Sequence, residues 1–162
     1  KSNYFEILCR HHVSGRLKVA PEHSSDRVLK QMRKMSFSQF VNLKKSFEQI
    51  NKRYGLKQQL IPYFISSHPA CEMRDMVDLA SQTAALGYRL QQVQDFTPTP
   101  MTIATETYYT GMDIYTGEKV FKEKNPAAKQ MQNRIFFWYK PENRNWARNV
   151  FMKYGKQFPQ QR

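Results

Sequence analysis

The chain has 162 residues, 40% of them apolar and 14% aromatic, with only 6 glycines and 8 prolines. That mix supports a domain with a hydrophobic core and excludes collagen-like, low-complexity and wholly disordered classes. Lysine and arginine number 26 against 13 acidic residues, a net charge of +13, which suits phosphates, RNA or an acidic partner as well as solvated helix faces.

The chain opens at Lys1 within a helical pattern, which reads as a piece of something longer. Tyr4, Phe5 and Leu8 fall at helical spacing between Asn3 and His12, and Gly15 ends the run. Arg16 to Pro21 reads as a short strand. Ser24 or Ser25 caps a helix predicted over Asp26 to Lys34, with Asp26 at its positive end. A longer helix is expected from Phe37 to Tyr54, with Ser36 as cap and Gly55 as stop. Phe37, Phe40, Val41, Phe47, Ile50 and Tyr54 trace its apolar stripe.

The pattern then repeats. Gln59 to Ser66 reads as a strand, although Pro62 removes a ladder donor. Glu72 to Leu86 reads as a helix stopped by Gly87, and Tyr88 to Phe96 as a third strand. Strand, helix, strand, helix, strand is the order of parallel β/α units. The expected fold class is therefore α/β: a partial parallel β/α (TIM-like) barrel of about three units, followed by C-terminal helices.

Beyond Pro100, Met101 to Tyr109 suggests a turn of helix, and Tyr115-Thr116-Gly117-Glu118 a hairpin turn. Pro126 starts a helix expected to run to Lys140. Arg144 or Asn145 starts another that ends near Gly155, and the basic tail from Lys156 to Arg162 reads as frayed. The positive charge is uneven. Residues 1–54 carry 12 basic and 4 acidic groups, residues 55–110 carry 3 and 5, and residues 111–162 carry 11 and 4.

Ligands of parallel β/α arrays bind where strands lead into helices. Those places hold Glu22-His23-Ser24, Ser66-Ser67-His68 and Asp95-Phe96-Thr97. Each triplet alone reads as a helix cap or a satisfied turn; three on one face suggest a pocket. Alternation sends Lys18, Ala20 and Glu22 away from Leu17 and Val19. Lys18 and Glu22 would then face a barrel interior, as an internal ion pair or as contacts to a polar ligand.

Other candidates are weaker. His11 and His12 adjoin a helix end. Phe136 to Tyr139 could stack nucleobases, but core burial is the simpler reading. Cys9 and Cys71 are too few for a disulfide framework or a metal set, which fits a reducing cytoplasm, and they read as packing or helix-start residues. No apolar run approaches the roughly 20 residues of a membrane span.

Three stretches, Leu17 to Lys34, Gln58 to Met76 and Leu90 to Thr105, together with Arg134 to Arg144, closely resemble the YgiQ-type family of uncharacterised bacterial radical S-adenosylmethionine proteins. The resemblance spans most of residues 5 to 140. It implies that residues 1–110 are the C-terminal half of a β/α barrel and that 111–162 are an extension of it. It also implies a four-iron four-sulfur cluster and S-adenosylmethionine in the full-length protein, with neither expected bound to this fragment. The cysteine triplet that would hold the cluster is not in this sequence, and no metal ligands are assigned to it.

By the same resemblance, Glu22, His23 and Ser24 would meet the ribose or the substrate. Ser66, Ser67 and His68 would line the adenine side, with Phe96 and Thr97 beside the base. Position 70 is Ala where relatives tend to have Gly. The implied partner is the missing N-terminal half, with self-association through open strand edges also expected. The alternative function is a basic RNA-binding or scaffolding module.

Overall fold

The structure, a computed structural model, describes residues 3–91 and 93–160. A helix α1 (Tyr4–His11) leads into strand β1 (Arg16–Glu22). Helices α2 (Asp26–Gln31) and α3 (Phe37–Tyr54) carry the chain back to β2 (Gln59–Ser66), and α4 (Met73–Ala85) leads to β3 (Val93–Asp95). Then come α5 (Ile103–Thr110), α6 (Pro126–Arg134), a 3-10 turn (Ile135–Phe137) and α7 (Pro141–Lys153).

The strands form one sheet in the order β1-β2-β3, parallel throughout, as the alternation of strand and helix predicts. Arg16 to Val19 align with Gln59 to Pro62, and Phe64 to Ser66 with Val93 to Asp95. Pro62, in the central strand, sits where β2 is paired with β1 but not yet with β3, so its missing donor interrupts no ladder on the β3 side.

One sheet face is covered and the other is open. On the covered face Leu60 and Phe64 are buried, and Leu17, Val19 and Val93 pack against the same core. Phe40, Phe47 and Ile50 of α3, Met76, Val77 and Ala80 of α4, and Ile135 and Phe136 complete it. On the other face Lys18, Ala20 and Gln94 are exposed, and Ile61, Tyr63 and Ile65 are half-buried.

Local chemistry explains most element boundaries. Ser36 Oγ accepts the Ser38 N–H at the start of α3, and Gly55, at φ 63°, closes its end with an N–H to the Asn51 carbonyl. Asp75 accepts the Glu72 N–H at 2.9 Å to open α4. Asn125 and Pro126 open α6 by side-chain cap and ring constraint together.

The differences from expectation have physical reasons. The predicted strand Tyr88 to Phe96 shrinks to Val93–Asp95. The Gly87 and Tyr88 N–H groups turn back to the Ala84 and Thr83 carbonyls to close α4, which takes that stretch out of the sheet; Gln92, within the predicted strand, lies outside the described residues. The expected helix from Pro126 to Lys140 stops at Arg134 and tightens into the 3-10 turn, because Pro141 disfavours helix at the residue before it and restarts one three residues earlier than expected. Helix α2 ends at Gln31 rather than Lys34, since Arg33 adopts φ 55°.

The tail is docked rather than frayed through Phe158. Lys156 pairs with Asp78 at 2.7 Å, and the Phe158 ring meets Trp138 and Phe151 edge-on. Nor does Lys18 pair with Glu22. The register slips between Val19 and Glu22, Glu22 takes φ 64°, and its carboxylate meets Lys34 at 3.4 Å. Lys18 lies 5.7 Å from the centre of the Tyr63 ring. The helix suggested over Met101 to Tyr109 is α5, capped by Thr102, and a Met112–Lys119 bridge closes the expected hairpin turn. Cys9, Cys71, Phe136 and Trp138 are all buried in line with the packing reading.

Candidate functional site

Because the strands are parallel, all three exits lie at one end of the sheet. Glu22, Ser67 and Ala70, on the first two exits, have left-handed backbone with φ of 64°, 60° and 72°. Non-glycine residues adopt this conformation uncommonly, and such positions cluster at functional sites.

Sidechain bonding knits the exits together. Ser66 donates to Asp95 across the β2–β3 pair, and Asn133 donates to the same carboxylate oxygen at 2.9 Å. The Phe96 N–H meets the Ser66 carbonyl at 2.8 Å. The His68 ring stands edge-on to Phe96 with centroids 5.1 Å apart, and Phe96 packs on Tyr108 at 5.6 Å. Lys129 donates to the Tyr108 hydroxyl at 2.8 Å. His68 Nδ1 donates to the Pro69 carbonyl at 2.9 Å, which leaves Nε2 as its acceptor. Thr97 lies exposed at the rim.

His23 is fully buried, and its hydrogen bonds define its tautomer. Nδ1 accepts the Ser25 N–H at 3.0 Å, so the proton resides on Nε2, which faces Cys71 Sγ at 3.5 Å. Cys71 donates in turn to Gln132 Oε1 at 3.4 Å, and that oxygen also accepts the Ser67 N–H at 3.0 Å. Burial pushes the His23 imidazole down to about 4, and it pushes the Cys71 thiol well above its ordinary range. Both groups are neutral near pH 7, so this chain of bonds orders the exits without carrying charge.

Two hydroxyl oxygens stand apart. Ser24 Oγ and Ser67 Oγ are buried and have no hydrogen-bond partner among the described residues. A buried hydroxyl without a partner is costly, and two at neighbouring exits suit a ligand rich in hydroxyls and ring nitrogens. The cysteines do not fit an iron–sulfur cluster. The Cys9 carbonyl accepts from Gln58, next to the start of β2, whereas Cys71 follows the exit of β2, so the two sit at opposite ends of that strand. Among the described residues no three His, Cys, Asp or Glu side chains gather as a metal set, and no helix is long and apolar enough to cross a membrane.

The positive charge lies partly elsewhere. A cleft of about 520 Å³ opens where β2 and residues 86–91 diverge, and Arg16, Lys18, Lys44 and Arg89 line it at the strand entrances.

Sequence reasoning placed the exit triplets but missed Gln132, Asn133 and Tyr108. A glutamine in the run AAKQMQNR reads as solvent-facing, and nothing local marks it as buried. The left-handed backbone at Ala70 is one that glycine adopts without steric cost. Ala70→Gly is expected to stabilise the fold by about 0.5–1 kcal/mol, the relief of left-handed strain less the added unfolded-state entropy. Urea unfolding with an unchanged slope would register it; a lower midpoint would contradict it.

Comparison with known proteins adds the following. A family model described as a domain of unknown function (DUF3362) matches residues 91–157. A UPF0313 protein of Bacteroides thetaiotaomicron is 56% identical over 156 residues, covering 96% of this chain and 25% of that protein. One from Porphyromonas gingivalis is 54% identical over 153 residues, 94% of this chain and 24% of its own length. One from the archaeon Methanosarcina acetivorans is 40% identical over 153 residues, covering 94% of this chain and 21% of that protein. The chain thus spans about a quarter of the length of the curated relatives it matches.

Proposed function

We propose, from the premise that this chain is homologous to about a quarter of a UPF0313 protein, the family to which YgiQ belongs, that it supplies the nucleoside-binding end of a radical S-adenosylmethionine enzyme. The observation that carries the reading is the pair of buried, unpartnered hydroxyls, Ser24 Oγ and Ser67 Oγ, at adjacent exits of one parallel sheet. The resemblance of the exit motifs to that enzyme class supports it.

In this reading Ser24 and Ser67 hydrogen-bond the bound nucleoside. Glu22 and His23 belong to the ribose or substrate side, with His23 fixing the β1 exit through Ser25 and Cys71. Ser66 and His68 line the adenine side, and Phe96, standing against His68, offers the base an apolar wall with Thr97 at its edge. When bound beside an iron–sulfur cluster held by the remainder of the protein, S-adenosylmethionine supplies a 5′-deoxyadenosyl radical. The open face carrying Ala20, Ile61, Tyr63 and Ile65 is then barrel interior, closed by strands of the larger protein. Residues 1–110 form the barrel part and 111–162 its extension.

The test is direct. Whole protein, reconstituted anaerobically with iron and sulfide and then reduced in the presence of S-adenosylmethionine, is expected to yield 5′-deoxyadenosine. Absence of both an iron–sulfur chromophore and this product would overturn the reading.

A further inference from the structure

The geometry points to the segment after β3 as a clamp on the strand exits, with Gln132 as the residue that positions the β2 exit for its ligand. The positioning role rests on the reading of those exits as a nucleoside-binding end; the clamp itself does not.

Residues from 111 onward touch the β2 and β3 exits and the C-terminal end of α2, the helix that follows β1. At the end of α2, Gln31 donates to Asp113 at 2.9 Å, and the Arg33 guanidinium lies 3.9 Å above the centre of the Tyr115 ring. On the β3 side, Asn133 holds Asp95. On the β2 side the grip is tightest. The Ala70 N–H meets the Phe121 carbonyl at 2.7 Å, and one carboxamide, that of Gln132, binds both ends of the turn 67–71. Its oxygen accepts from the Ser67 N–H and the Cys71 thiol, and its nitrogen donates to the Cys71 carbonyl at 3.3 Å.

The choice of residue is informative. Gln132 is 1% exposed on a helix whose other residues are exposed or half-buried. Filling that space alone would favour Leu or Met, since a buried amide is costly unless every group is matched. Here it is matched by atoms 61 and 65 positions earlier in the chain. What it stabilises is the left-handed backbone of Ser67, whose own hydroxyl is left unpartnered. The carboxamide therefore holds a strained turn whose Ser67 hydroxyl is buried and unpartnered. This assigns a task to the stretch that matches the domain of unknown function: it preorganises loops belonging to the β/α part.

The experiment compares wild-type whole protein with Gln132→Met by native-state hydrogen exchange and by calorimetric titration with S-adenosylhomocysteine. Expected are exchange at least tenfold faster over residues 66–71, unchanged protection in α4, and an affinity at least tenfold weaker. Unaltered exchange over 66–71 overturns the clamp. Faster exchange with unaltered affinity overturns the positioning role, which a merely structural glutamine would also fail to show. Should wild-type protein have no affinity for the probe, the nucleoside reading falls and takes the positioning role with it, while exchange alone decides the clamp. If Gln132→Met does not fold, Asn133→Ala serves at a half-buried site: faster exchange at Asp95 and Phe96 supports the clamp, and unchanged exchange there overturns it.

Discussion

Phe64→Ala is expected to cost about 3–5 kcal/mol, a large share of the stability of an ordinary domain. Phe64 is fully buried in the middle of the central strand, and its ring lies 6.4 Å from those of Phe37, Phe40 and Phe136. Phe37 and Phe40 belong to α3 and Phe136 to the 3-10 turn, so the cavity left by the ring is bordered by elements anchored independently. None of them can collapse into it without leaving its own partners. Tyr63→Ala is the control. That side chain is half-buried on the open face, and its loss from this chain is expected to cost about 1 kcal/mol or less. Urea midpoints of the two variants measure the contrast. A loss below about 1 kcal/mol for Phe64 would show that the core is not closed around it.

How much of this was legible in the sequence depends on the range of the interaction concerned. Helix α3 was readable because Ser36, the apolar stripe and Gly55 act within a few residues of one another. Strand β2 was readable because Gln59 to Ser66 is a short apolar run rich in Ile, Tyr and Phe, despite Pro62. Strand β3 was overdrawn because the claim of α4 on the Tyr88 N–H competes with the sheet, and propensity does not show which wins. The Lys18–Glu22 pair failed for a similar reason: a one-residue slip in register undoes every inference from alternation beyond it. At the exits the polar triplets were visible as sequence, since strand ends are local features. The carboxamide that orders them comes from Gln132, and only the folded chain brings it to Ser67 and Cys71. The docked tail is a contact of the same kind, made by Phe158 with rings on two other segments.

The second large effect is a loss of stability in mild acid, centred on His23. Its imidazole is held down to about 4, against an ordinary value near 6.5. Burial is the main cause; His68 and Arg27 add to it, and the negative charge of Asp75 opposes it. The Ser25 N–H onto Nδ1 acts in the same direction, since a proton placed there would break that bond. The unfolded chain therefore takes up the proton first as the pH falls. Stability from this group is complete above about pH 6.5, declines steadily below it, and is fully lost below about 4, a total of about 3 kcal/mol. His68, also lowered by burial, deepens the same limb. Asp113, held below the ordinary carboxylate range by the Tyr115 N–H and by Gln31, titrates further down and does not blur this window. His23→Gln, which lacks a group titrating near neutrality, should make the fall between pH 6.5 and 4 shallower, leaving the part due to His68, while lowering stability at pH 7. Urea unfolding across that range measures both curves. A wild-type profile flat from pH 7 to 4.5 would mean that His23 is not sealed from water, and with it the buried chain from Ser25 through Cys71 to Gln132 would lose its basis.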